Sequence, residues 1–151
     1  MRTATIMLVL LGSALAAEAG VAEKKERDAV DEKAQKASDD IKDCGKKLKV
    51  TFDWKAFDGL DWKGIKREKQ EYYGTERSNL EHLGEGINKL CGDKDYKAAL
   101  GKISTIVYHS TNNEKIRVKA TVSGSTLSFD NYSFGSTRGA DDYQEAAKAA
   151  L

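Results

Sequence analysis

Apolar positions change their period several times along the chain, and each change marks an element. Val30, Ala34, Ala37, Ile41 and Cys44 recur at intervals of four and three among Lys, Glu, Asp and Gln, which predicts an amphipathic helix over residues 22–44, ended by Gly45. The stripe is built of small residues, so this helix can lie close to whatever it covers. The period then drops to two. Leu48, Val50, Phe52 and Trp54 point one way and Lys47, Lys49, Thr51 and Asp53 the other, the pattern of a half-buried strand. Residues 55–74 are irregular and broken by Gly59, Gly64 and Gly74. Ser78-Asn79-Leu80-Glu81 matches a capping box, and Leu80, Leu83, Ile87 and Leu90 follow it as a helical stripe that stops at Gly92.

A helical turn is expected over residues 95–100 and a buried strand over 103–109. Asn112-Asn113 reads as a turn. Ile116, Val118, Ala120 and Val122 alternate with Lys115, Arg117, Lys119 and Thr121, which predicts another strand. Ser123-Gly124 supplies a two-residue hairpin turn, and Leu127 and Phe129 continue the apolar face on the return strand. Residues 135–139 form a loop, and an alanine-rich helix closes the chain over 140–151. The expected fold class is α+β. An antiparallel sheet, made of the N-proximal strand and a C-terminal three-stranded meander, is packed by two to three helices.

Residues 1–19 stand apart from this pattern. Met1-Arg2 is a short basic start, and Ala4 to Ala17 is apolar apart from Thr5, Gly12 and Ser13. Small residues follow in Ala14-Leu15-Ala16 and Ala17-Glu18-Ala19. This is the composition of a secretory signal peptide cleaved after Ala16 or Ala19, leaving a single domain over 20–151 that is secreted or periplasmic. The apolar run is shorter than the ~20 residues a membrane span needs, and no span is expected in the mature chain. Cys44 lies too far downstream to be the lipid-modified first residue of a lipoprotein.

Export gives the two cysteines a reason to pair. Cys44 and Cys91 each precede a glycine, in Lys42-Asp43-Cys44-Gly45 and Lys89-Leu90-Cys91-Gly92, and an oxidising compartment favours a disulfide between them. They are not in a C-x-x-C arrangement, so a redox role is not indicated. Together with His82 and His109 they show no metal-ligand spacing.

The charge balance narrows the partners. Lys and Arg number 25 against 24 Asp and Glu, a formal net charge of +1. Phosphate backbones and anionic lipid surfaces both call for a clear basic excess, so neither nucleic acid nor a membrane surface is the expected partner. No phosphate-binding loop, dinucleotide fingerprint, His-Glu-x-x-His or Gly-x-Ser-x-Gly occurs, and no cofactor is expected.

Half of the chain's aromatic residues crowd into 52–73: Phe52, Trp54, Phe57, Trp62, Tyr72 and Tyr73. Lys55, Lys63, Lys66, Arg67 and Lys69 are interleaved. The triplet Asp-Trp-Lys occurs twice, at 53–55 and 61–63. Exposed indoles flanked by charge can stack on sugar rings or hold a peptide, and buried ones anchor a core. Trp54 belongs to the strand's apolar face. Trp62, with Lys63, Tyr72 and Tyr73, is the candidate binding element. A second candidate is the glycine-bounded segment 131–139, whose Arg138 sits in Gly-Ser-Thr-Arg-Gly. That piece can cradle an anion, or it can be a connector in which Ser136 or Thr137 caps the last helix.

Val122 and Gly124 resemble, in two positions, the hairpin wedge of cystatin-type protease inhibitors, where this chain has Ala120 in place of that motif's Gln. The hairpin turn accounts for the same residues. The expected function is a non-catalytic binding or envelope-associated interaction module with a protein or glycan partner. The alternatives are a small hydrolase-like enzyme using His82 or His109 with an acidic partner, and a structural subunit of a larger assembly.

Overall fold

The small-residue stripe sits on α1 (Thr5–Asp40) of the computed structural model, which describes the backbone of residues 5–151 and the side-chain surroundings of residues 19–151. The expected signal peptide falls largely outside those side chains. Among the described residues no helix is long and apolar enough to cross a membrane. Val30, Ala34, Ala37 and Ile41 are buried against α3 (Lys69–Cys91). At Gly84 of α3 an added Cβ would come within 3.1 Å of Ala37 Cβ, so the two backbones meet where both side chains are minimal. Helix α1 stops at Asp40, short of its expected end, and the chain turns through Gly45 at φ +78°. Cys44 therefore lies in the loop after the helix. Its disulfide with Cys91 ties that loop to the last residue of α3, with Cα atoms 4.5 Å apart.

Helix α3 begins at Lys69 and runs straight through the expected capping box. Ser78 is not a cap: its Oγ donates to the Gly74 carbonyl at 3.2 Å, one turn back. The buried stripe reaches back through Tyr73, Glu76 and Asn79, and two polar residues on it disguise its continuity. Where α5 (Ala140–Ala150) crosses α3, Gly86 leaves room only for backbone. A Cβ there would lie 2.4 Å from the Ala140 carbonyl oxygen and 3.1 Å from Gln144 N. Helix propensity favours alanine over glycine by about 1 kcal/mol, and overpacking against a fixed backbone costs about 1–3 kcal/mol. The clash wins here because backbone cannot swing aside. Gly86→Ala is expected to lower unfolding free energy by about 1–2 kcal/mol in chemical denaturation; an increase would show that α5 is free to shift.

The remaining elements are β1 (Lys49–Phe52), α2 (Trp54–Asp58), α4 (Lys94–Leu100), β2 (Thr105–Thr111), β3 (Val118–Ser123) and β4 (Thr126–Tyr132). The sheet is mixed, with strand order β1-β2-β4-β3. Strand β2 is parallel to both β1 and β4, and only β3 and β4 are antiparallel. The expected antiparallel meander is thus corrected: β4 enters between β2 and β3. Burial explains the order. Leu127 and Phe129 on β4 are fully buried, whereas Val122 on β3 is 41 % exposed. The strand with the larger apolar side chains takes the centre, and the Lys/Thr-rich strand takes the edge. The turn expected at Asn112-Asn113 is present, closed by Ile116 N–H donating to the Asn113 carbonyl at 3.0 Å, but it leads toward the edge strand and does not join β2 and β3 as a hairpin. The hairpin loop is Gly124-Ser125, one residue later than expected, with Gly124 at φ +58°. Helices α1, α3 and α5 pack with the sheet around Ile106, Tyr108, Leu127 and Phe129.

Candidate functional site

The two Asp-Trp-Lys triplets have different fates. Asp53 caps α2 by accepting from Ala56 N at 3.0 Å. That places Trp54 on the first turn, half-buried among Phe52, Phe57 and Tyr73. Its Nε1 donates to Asp31 at 2.9 Å, and the Arg27 guanidinium lies 4.6 Å from its ring centroid. Trp54 is an anchor with its polar group satisfied. Trp62 meets Phe57, Tyr72 and Phe134 edge-on, with centroids 5.2, 5.5 and 5.2 Å away, and its Nε1 is buried without a hydrogen-bond partner among the described residues. A buried indole N–H without a partner costs free energy.

Beside this cluster the start of α3 and the loop after β4 border an open cavity of about 500 Å³, lined by Arg67, Tyr72, Thr75, Phe134, Gly135, Ser136 and Thr137. Rings and hydroxyls dominate its wall, and no carboxylate is among those residues. Behind Gly135 stands Arg138, whose backbone is held at both ends. Its N–H donates to Asn79 Oδ1 at 2.8 Å and its carbonyl oxygen pairs with His82 Nδ1. Its side chain is only 8 % exposed. Nε has no partner, and among the described residues no carboxylate lies within ion-pair distance of the guanidinium. Gly135 makes this approach possible, since a Cβ there would lie 2.7 Å from Arg138 Nη2.

Of the expected set only Tyr72 lines the cavity; Trp62 packs on the Tyr72 and Phe134 rings from outside it, and Arg138 stands behind Gly135, one layer back from the wall. Lys63 does not join them: its side chain is exposed and its backbone N–H is turned to Asp61 Oδ1 at 3.0 Å. Tyr73 is fully buried on the other side of the cluster, where its hydroxyl donates to Glu23 at 3.0 Å. Burial and that carboxylate push the phenol up to about 12. Phe134, Ser136 and Thr137 fall within the candidate segment 131–139, whereas Thr75 had no distinguishing pattern of its own. Thr75 follows Tyr72 by one helical step of three, which becomes informative once α3 is known to start at Lys69.

Asn79 links the Arg138 loop to a buried polar network. Its Nδ2 donates to Tyr108 OH at 3.1 Å and to Glu76 Oε2 at 3.4 Å. Glu76 also accepts from Ser110 at 3.1 Å and from the Tyr108 hydroxyl, and it has no exposed surface. Burial pushes its carboxyl up, against the opposing pull of these donors. The Ser133 hydroxyl lies near enough to add to that pull, yet meets no partner at full hydrogen-bond geometry. Burial also drives the Tyr108 and Tyr143 phenols well above their ordinary value. The network fixes the register of α3, β2 and the loop.

The last helix is capped by its own first turn. Asp142 accepts from Gly139 N at 3.0 Å, so neither Ser136 nor Thr137 is the cap. Both hydroxyls stay exposed at the cavity. The histidines differ. His82 is tied to the loop, while His109 Nδ1 lies 2.8 Å from Asp53 Oδ2 on the half-exposed side of the sheet, opposite Asp130 in the strand register. No hydroxyl or thiol is hydrogen-bonded to His109 among the described residues. Nor do three or more His, Cys, Asp and Glu come together there to hold a metal ion.

No protein-family model, curated protein or solved structure matches the chain.

Proposed function

We propose that the chain is an exported, non-catalytic binding module whose ligand occupies the cavity between α3 and the loop 133–139. One observation carries this reading: Arg138, nine-tenths buried, with its Nε unsatisfied and no carboxylate in ion-pair distance among the described residues, stands behind an open, carboxylate-free wall that Tyr72 and Phe134 line. Groups that cost stability when left unpaired are retained where a ligand completes them. The partner is a protein or glycan of the envelope or the extracellular space. Cleavage after Ala16 or Ala19 belongs to the same proposal and is read from the mass of the exported product. Phe134→Ala is expected to weaken ligand binding about tenfold, as removing an aromatic anchor does, while His109→Ala leaves it unchanged. Binding is read from Trp62 emission in a Trp54→Phe background. Equal affinity in Phe134→Ala would remove the cavity from consideration.

A second reading is favoured by the Asp53–His109 contact at 2.8 Å, which orients an imidazole as a hydrolase does. It requires ester or amide hydrolysis by the full chain that disappears in His109→Ala.

A further inference from the structure

We infer that the cavity selects a small oxyanion (carboxylate, sulfate or phosphate) carried on a ring that lies against Phe134 and Tyr72. This rests on the cavity being the ligand site and names the chemistry it takes. Donors line the space, Arg67 at the mouth and the hydroxyls of Thr75, Ser136 and Thr137 on the wall, and Arg138 stands one layer back with its Nη2 beside Gly135 of the lining. Arg67 is exposed and only loosely paired with Glu71 at 4.0 Å, so it is free to swing toward a ligand. Arg138 is the decisive group. It is nine-tenths buried, its Nε is unsatisfied, and its planar fork matches an oxyanion bidentately. The N-terminus of α5 is not the anion site, because Asp141 and Asp142 already supply negative charge there.

Isothermal titration of the full chain with inorganic phosphate, benzyl phosphate and benzyl alcohol tests this inference. Benzyl phosphate is expected to bind saturably, and about tenfold or more tightly than either fragment. Arg138→Met is expected to lower its affinity at least tenfold, and Arg67→Ala severalfold. Ligand-free Arg138→Met is expected to melt at the same temperature or higher, because it removes a buried unpaired charge and leaves the Asn79 and His82 backbone bonds in place. A clear fall in melting temperature would overturn the inference by giving Arg138 a structural role. So would benzyl phosphate binding that neither variant weakens. Arg67→Ala changes an exposed residue and remains informative if Arg138→Met is poorly folded. Equal binding of benzyl alcohol would overturn the anion and leave the binding-module reading intact. Equal binding of inorganic phosphate would overturn the ring. Absence of binding by all three up to about 10 mM would overturn the inference outright. The binding reading would then fail separately only if Trp62 emission answered no glycan or peptide ligand.

Discussion

Reduction of the Cys44–Cys91 bridge is expected to lower the stability of the fold by about 4 kcal/mol, the chain-entropy value for a loop of this length. The two cysteines are 47 residues apart in sequence. The closed loop contains β1, α2 and nearly all of α3, so its opening releases conformational freedom in the half of the candidate site that α3 supplies. For a domain of this size the melting temperature falls on the order of 10–15 °C. Thermal unfolding with and without a thiol reductant, and of the double Cys→Ala variant, reads the effect. A change below about 1 kcal/mol would mean that packing of α1 on α3 already fixes that loop in the unfolded ensemble.

The second large effect concerns Glu76. Its carboxyl has an ordinary value of 4.5 and is raised in the fold, chiefly by burial. Between those two values the folded chain holds a proton that the unfolded chain has released. Stability therefore falls as pH rises through that window, by about 1.4 kcal/mol per pH unit at most. Glu23 acts in the opposite sense. Hydrogen bonds from Tyr73 and Arg27 lower it, so its contribution is present above its ordinary value and is lost as pH falls through the folded one. The unfolding free energy should then peak in mildly acidic solution. Glu76→Gln keeps an acceptor for Tyr108 and Ser110 and removes the charge, so it should abolish the decline on the alkaline side. Tyr108→Phe, which leaves the carboxyl and Asn79 short of a partner, is expected to cost about 1–3 kcal/mol. Denaturant titrations at pH 5 to 8 measure both. A wild-type curve that rises over that range would show the carboxylate to be charged and well satisfied in the core.

Much of this architecture is legible in the order of residues, because burial imposes a period that local sequence carries. The stripe of Val30, Ala34, Ala37 and Ile41, the alternation at 48–52, and the apolar face of Leu127 and Phe129 are all realised. What was hidden depends on partners distant in sequence. Glu76 and Asn79 look like solvent-facing residues and end the apparent stripe of α3, yet they are paired with Tyr108, which lies 32 and 29 residues further on. The mixed sheet was hidden for the same reason. A short polar connector after β2 looks like a hairpin, and only the competition for central position between β3 and β4 decides against one. The Asp-Trp-Lys repeat implies two equivalent indoles. What separates them is Asp31 on α1, which satisfies Trp54 and has no counterpart at Trp62. Lys63 and Tyr73 were reasonable neighbours of Trp62 in sequence, but one helical step of about 100° turns Tyr73 away from the cavity that Tyr72 lines and toward Glu23.

The ligand is proposed to occupy the space between α3 and the loop 133–139. The most direct measurement is Trp62 emission in the full-length Trp54→Phe variant, titrated with benzyl phosphate. Trp62 touches both rings of the cavity wall, with centroids 5.5 Å from Tyr72 and 5.2 Å from Phe134. A saturable spectral shift that Phe134→Ala suppresses is the expected result. Emission that stays constant while titration calorimetry records binding would place the ligand elsewhere and contradict the account.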